Sequence, residues 1–147
     1  MEISPFDQQF ANKVRLRICG VLCREDRILL IRHQGIGPAG FLWSPPGGGV
    51  QFGESITTTL KREFLEEAGL DVEVQDFLFF HEHISDRLHA VELFFKVTFL
   101  SGQMALGLDP ELPLDQQILT EIRYWSPQEI SNQPELHFHA CISKMWY

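Results

Sequence analysis

The sequence predicts an α/β domain. Five apolar or β-branched segments of strand length surround one amphipathic helix with clear start and stop signals, and a long glycine-rich stretch leads into that helix. At 147 residues the chain is sized for a single domain, residues 1–147, with one hydrophobic core. Its 44% hydrophobic and 22% charged content is that of an ordinary globule, which excludes a disordered, collagen-like or disulfide-framework chain.

Taken in order, Val14 to Cys23 and Arg27 to His33 read as strands joined by the polar break Arg24–Glu25–Asp26, a hairpin. Gln34 to Gly53 holds seven of the eleven glycines and three prolines, so it reads as a shaped loop. Glu54–Ser55 starts the helix, because a serine hydroxyl can cap free N–H groups and an acid suits the positive helix end. Gly69 stops it, since glycine tolerates the left-handed geometry that follows a helix. Val72 to Phe80 and Ala90 to Leu100 are the next strands, and Ser101 to Leu119 is a long loop of the kind that often carries function. Glu121 to Trp125 reads as a short closing strand. Ser126–Pro127 caps a short helix at Pro127 to Ile130, and Phe138 to Trp146 reads as a last helix. No internal repeat or low-complexity tract is evident.

The formal charge of −8, from 20 acidic against 12 basic residues, would repel a phosphate backbone, so nucleic acid is not an expected partner. The same acidity can concentrate divalent cations. Cys19, Cys23 and Cys141 form neither a CxxC pair nor an even framework and read as reduced and largely buried, which points to the cytoplasm. Met1 to Ala11 lacks an apolar signal core and no run of about 18 apolar residues occurs, so neither export nor a membrane partner is expected.

On a helical wheel of roughly 100° per residue, Ile56, Leu60 and Phe64 form an apolar stripe that should pack on the sheet. Glu63, Glu66 and Glu67 fall along its edge at i, i+3, i+4 spacing, where like charges repel. Glu67 projects into the stripe between Ile56 and Leu60, and an unpaired buried carboxylate is costly. Arg62 alone is a poor match for three acids converging from one side, whereas a hard divalent ion with oxygen ligands would relieve repulsion and burial together. A solvated acidic face explains the glutamates alone equally well; the residues around them tip the balance.

From Gly48 the chain reads GGVQFGESITTTLKREFLEEAGL to Leu70: Gly, five residues, Glu54, seven residues, Arg62–Glu63, an apolar Phe64, one residue, Glu66–Glu67, one residue, Gly69 and an apolar Leu70. This resembles the signature of the Nudix hydrolases at every fixed position. The resemblance implies a Nudix-type α/β/α sandwich on a mixed, partly antiparallel sheet, with which the strands and helices above are compatible. Trp43 to Gly47 looks like the usual lead-in and Tyr124–Trp125–Ser126 like the family's closing strand, though only the signature is diagnostic.

The resemblance also implies Mg²⁺, or Mn²⁺ in its place, held chiefly by Glu63 and Glu67, with Glu66 either a ligand or the base that orients water. Glu63 is the other candidate base, and the main-chain carbonyl of Gly47 a further ligand, since a glycine turn lets the backbone approach an ion. Arg62 and Glu54 are expected to pair and support the ligands without acting in the chemistry. The family often adds an acid in the loop before the closing strand, where this chain has Gln116 and Gln117. Glu111, Asp115 or Glu121 could substitute, although each reads more readily as a solvated loop acid.

Two His-x-His pairs, His81/His83 and His137/His139, would each share a strand face. Lacking a matching cysteine or third spaced ligand, they read as surface or substrate-lining groups before a transition-metal site. Phe41, Trp43 and Phe52 could stack on a base, or simply pack. The expected activity is hydrolysis of a phosphoanhydride in a nucleoside diphosphate linked to another group, such as ADP-ribose or a nucleotide sugar. The alternatives are pyrophosphate release from nucleoside triphosphates, including oxidised ones, and a non-catalytic nucleotide-binding module. The expected partner is a nucleotide-type small molecule, with a homodimer as the default assembly.

Overall fold

The computed structural model describes residues 5–146; the reading of Met1 to Ala11 as lacking a signal core therefore falls partly outside the described residues. After a short helix α1 (Pro5–Phe10), strands β1 (Val14–Arg24) and β2 (Arg27–Gln34) match the expected hairpin. Glu25 and Asp26 form its tip, both at positive φ, a conformation uncommon outside glycine that aspartate tolerates better than glutamate. The two strands pair only near that tip, through Cys23 with Ile28 and Arg24 with Arg27. They then diverge to neighbours of their own.

β2 lies antiparallel to β3 (Phe41–Ser44) and β7 (Leu119–Trp125). β1 runs parallel to β6 (His89–Gly102) and antiparallel to β4 (Gly47–Gly49), and β6 is antiparallel to β5 (Leu70–Ile84). The result is one mixed sheet of order β3-β2-β1-β6-β5, with β4 and β7 paired off that path. The Gln34 to Gly53 stretch is thus not loop throughout. Nonlocal pairing turns its middle into β3 and β4, despite a composition that disfavours strands.

Helix α2 (Ile56–Ala68) covers one face of the sheet. Ser55 caps it by accepting the Thr58 N–H at 3.0 Å, and Gly69, at φ 70°, closes it in the left-handed region. Leu60, Phe64 and Ala68 join Ile18, Leu22, Val72 and Val97 in a dry cluster. Phe64 lies on Gly20, where any β-carbon would displace its ring. Ile56 departs from expectation: as the first helical residue it overhangs the sheet and is exposed, so the buried stripe runs from Leu60.

On the opposite face Cys19, Val21, Ile28, Leu30 and Trp43 pack with Trp125, Phe138 and Met145. Helix α3 (Pro127–Ser131) forms behind a capping box of Ser126 and Glu129, as its sequence predicts. The last helix expected at Phe138 to Trp146 does not form. Phe138 makes a bridge to Trp43, His139 donates its N–H to the Trp43 carbonyl at 2.9 Å, and only a 3₁₀ turn at Ile142–Lys144 follows. Pinning Phe138 and Met145 into the core sets the path of this segment. Cys19 and Cys141 are buried and all three cysteines are free, as expected. No described helix is long and apolar enough to cross a membrane.

If the α2 face carries the main core, Phe64→Ala should destabilise the protein by about 3–5 kcal/mol in urea titration; a loss under about 1 kcal/mol would contradict this packing.

Candidate active site

α2 presents Glu63, Glu66 and Glu67 toward the glycine strand β4, and the three differ in surroundings. Glu67 is buried and accepts the Gly47 N–H at 2.9 Å. Glu63 is buried beside Gly48, where a β-carbon would fall on its carboxylate, so the approach of helix to strand requires glycine there. Glu66 is half-buried. The structure puts Glu63 and Glu67 in the buried layer against β4 and Glu66 at its edge, and it does not bring all three carboxylates within ligand distance of one another.

Arg62 ties this group to the loop before the helix. Its Nε and Nη2 donate to the two Glu54 oxygens at 2.8 and 2.9 Å, a bidentate pair. Its Nη1 donates to Glu63 at 2.9 Å and to Glu66 at 3.1 Å. Thr59 adds a third hold on Glu54 through its hydroxyl at 2.7 Å. Arg62 holds Glu54 at about 2, and Thr59 assists. The expected Arg62–Glu54 brace is therefore present, and it extends to two of the three helix glutamates but not to Glu67.

Electrostatics mark the remaining pair. Burial raises the Glu63 carboxyl to about 7, against the pull of Arg62 and with help from Glu66 and Glu111. Burial and then the neighbouring Glu63 charge push Glu67 well above the usual carboxylate range, opposed by the Gly47 N–H and by Arg17. Two such groups one helical turn apart fit a cation that can replace their protons. The β4 register adds a ligand position. Pro46 and Leu16 carbonyls accept from Gly20 and Val50, and Ile18 sits opposite Gly48, so the Gly47 N–H and carbonyl face away from β1, on the Glu67 side.

The loop after β6 closes over the end of α2. Ala105 and Gly107 donate N–H bonds to the Ala68 and Glu67 carbonyls at 3.0 and 2.9 Å, satisfying the helix terminus. This brings in Glu111, half-buried and 3.7 Å from Arg15; burial raises its carboxyl, Arg15 opposes the rise and Asp109 adds to it. Asp115 and Glu121 are exposed, so of the three acids that could substitute, Glu111 is the one placed beside the site. Asp109, which no sequence pattern singles out, adds to the rise at Glu67. Gln117 takes no acid's place; its side chain laces the loop through Asp109 and the Leu112 carbonyl.

The histidine pairs separate. His81 and His139 meet beside Glu92, with ligand atoms within 4.8 Å of one another, the spacing of a metal triad. Proton positions speak for a hydrogen-bond network instead. The Cys141 N–H can only donate, so the His139 Nδ1 facing it at 3.0 Å carries a lone pair and the ring proton sits on Nε2, donated to Glu92 at 2.8 Å. The other Glu92 oxygen accepts from Arg17 at 2.8 Å. Burial alone would raise Glu92, yet His139 and Arg17 outweigh it and hold the carboxyl at about 2. His139 is buried and fully used, which corrects its reading as a surface or substrate-lining group. The signal in the sequence was Glu92 itself, an acid inside an apolar strand. Of the aromatic candidates, Trp43 is core, Phe41 packs on His137 and under Arg32, and Phe52 is fully exposed in the loop before α2.

Solved structures share this architecture. The chain superposes on a NUDIX hydrolase from Nitrosomonas europaea with a TM-score of 0.72 at 20% identity, covering 90% of this chain and 86% of that one. It matches a MutT NUDIX hydrolase from Burkholderia pseudomallei with a TM-score of 0.71 at 23% identity, over 91% and 97% of the two chains. The family model described as NUDIX domain matches residues 13–144, and the chain belongs to that family. It is 30% identical over 95 residues to the Bacillus subtilis (strain 168) protein YjhB, provisionally named an ADP-ribose pyrophosphatase. That match covers 61% of this chain and 44% of YjhB, so the chain spans under half of that relative.

The raised carboxyls set a pH dependence for metal-free protein. Between about pH 6.5 and 7 the folded state keeps a proton on Glu63, held at about 7, that an unfolded glutamate has released, and Glu67 is raised in the same direction, so these two carboxyls make stability fall as pH rises. His33, pushed down to about 4 by burial, acts in the opposite sense but only below that window. Chemical denaturation in chelator should show the fall and excess Mg²⁺ should remove it; a midpoint that rises with pH in chelator would contradict the assignment.

Proposed function

We propose that the chain is a divalent-metal-dependent hydrolase of a phosphoanhydride bond, acting on a nucleoside diphosphate linked to another group, with ADP-ribose or a nucleotide sugar as substrate. The observation that carries the reading is the buried Glu63–Glu67 pair, held against β4 with both carboxyls raised. The provisional name of YjhB favours the ADP-ribose type of substrate.

Glu63, Glu66, Glu67 and the Gly47 carbonyl would hold Mg²⁺, with Mn²⁺ able to replace it. Bound there, such an ion neutralises diphosphate oxygens and makes a water easier to deprotonate. Arg62 positions Glu63 and Glu66 by anchoring them to Glu54. The proton of the attacking water passes to a carboxylate, for which Glu63 and Glu66 are candidates on the helix and Glu111 a third on the loop. A carboxyl raised toward neutrality, as Glu63 and Glu111 are, suits that task better than an ordinary one. Phe52, exposed beside the start of α2, is available to stack on a base.

Glu67→Gln should lower Mg²⁺-dependent turnover at least about 100-fold while leaving the protein folded. The assay is a panel of ADP-ribose, nucleotide sugars, dinucleoside polyphosphates and nucleoside triphosphates, scored by product. Full activity in the variant would remove Glu67 from the mechanism. Tight nucleotide binding without any phosphate product in the parent would overturn catalysis and leave a binding module. Among base candidates, the true one is the residue whose change to Gln flattens the acid limb of the pH–rate profile as well as lowering kcat.

A further inference from the structure

The short helix α1 reaches the candidate site through one stacked cation. Asn12, at φ 59°, turns the backbone between α1 and β1, and its N–H donates to the Arg87 carbonyl at 2.9 Å. Lys13 donates to the Gln9 carbonyl at 3.1 Å, tying the end of α1 to the start of the strand. Phe10, the last helical residue, is thereby folded back toward β1 and is only 7% exposed. The Arg15 guanidinium lies on its ring, 3.6 Å from the centroid. A ring face attracts a cation most where water is excluded.

Arg15 also meets the loop after β6. Its Nη2 stands 3.7 Å from Glu111 Oε2, and both side chains are mostly shielded. A β-carbon on Gly49 would lie 3.6 Å from Arg15 Nη2 and 3.8 Å from Glu111 Oε1, so this ion pair sits against β4, one residue beyond the glycine that faces Glu63. The loop backbone arrives there by a fixed path. Gly107 bonds the end of α2, Gln117 grips the Asp109 backbone, Asp109 Oδ1 accepts the Glu111 N–H at 3.0 Å, and Leu112 is buried. A glutamate side chain on that backbone still has several rotamers, and Arg15 selects among them. Burial and then Arg17 lower Arg15 to about 10, against Glu111 and Asp109, so it stays a cation near neutral pH.

We propose that Phe10 and Arg15 are positioning residues for Glu111, so that α1, which lies ahead of the domain matched at residues 13–144, is part of the working site. The inference rests on the hydrolase reading above, in which Glu111 is the loop's candidate to take the water's proton. A group that does so must stand within about 3 Å of that water, and a misplacement of about 1 Å is costly in rate. An ion pair to a guanidinium that is itself held on a ring keeps the carboxylate to one place. Without the ring the long Arg15 side chain regains its freedom, and Glu111 regains it too. Both residues act through Glu111 and neither is assigned a contact with substrate.

Steady-state kinetics of the full chain on the substrate it hydrolyses from the panel above, joined to amide exchange of the metal-free protein, test the proposal. Phe10→Leu and Arg15→Gln should each lower kcat about 5- to 30-fold with KM changed less than about twofold. Phe10→Tyr, which keeps a ring face, should hold kcat within about twofold of wild type. With Glu111→Gln in place, Phe10→Leu should change kcat less than about twofold, because both act through one group. Phe99→Leu, which removes the ring 4.6 Å from Arg24 at the far end of β1, should leave kcat unchanged. Phe10→Leu should also speed exchange of the Asp109, Glu111 and Leu112 amides at least about threefold. Should Arg15→Gln unfold, the Phe10 variants decide alone. Additive losses in Phe10→Leu and Glu111→Gln overturn the proposal, as does a loss in Phe10→Tyr equal to that in Phe10→Leu. An inactive parent overturns the hydrolase reading, whereas an active parent with unchanged kcat in Phe10→Leu overturns only the positioning. Loop amides indifferent to Phe10 overturn it whatever the activity.

Discussion

Two carboxylates that would rather be in water are packed out of it one helical turn apart, and much of the site is arranged around that fact. Glu63 and Glu67 lie against the glycine strand β4; Glu63 shares Arg62 with Glu54 and Glu66, while Glu67 is held by the Gly47 N–H. Burial raises both carboxyls above the ordinary range, and the Glu63 charge adds to the rise at Glu67. Such a pair costs stability in isolation and becomes favourable when a multivalent ion shares it. The fold supplies the means to keep that arrangement: Gly48 admits the Glu63 carboxylate, and the Gly47 N–H orients that of Glu67.

The braces around the pair divide the labour. Arg62 joins loop and helix through Glu54, and so fixes Glu63 and Glu66 relative to the entry of α2. At the other end, Gly107 and Ala105 satisfy the last helix carbonyls and hold the loop that carries Asp109 and Glu111. On the far face of the sheet, Arg17, Glu92 and His139 lock the C-terminal segment to β1 and β6 with charge-assisted hydrogen bonds. That lock lies behind the site; its buried acid is held low by His139 and Arg17, whereas burial raises Glu63 and Glu67.

What the sequence reveals follows the range of the forces involved. Glu63, Glu66 and Glu67 share a helix whose period is fixed, so their placement along one edge of it can be read from spacing, as can the Ser55 and Ser126 caps. β1, β2, β5 and β6 are legible because their β-branched and aromatic runs are long. β4 is three glycines, which by local preference are loop; they become strand because β1 on one side and Glu67 on the other occupy their backbone groups. The segment after Phe138 has helical spacing, yet its contacts with Trp43 and the core override the local preference. Ile56 fits the apolar stripe of the wheel, but where a helix overhangs its sheet is a tertiary matter. The Glu92 partners come from residues 47 and 75 positions away, beyond any local pattern.

The most direct test of the central claim is proton release on metal binding, measured by calorimetric titration of metal-free protein with Mg²⁺ or Mn²⁺ near pH 7 in buffers of different ionisation enthalpy. If Glu63 and Glu67 take up the ion, binding should release about one proton or more per ion, and Glu67→Gln should reduce that number along with the affinity. Metal uptake with no proton release, or equal release and affinity in the variant, would contradict the account.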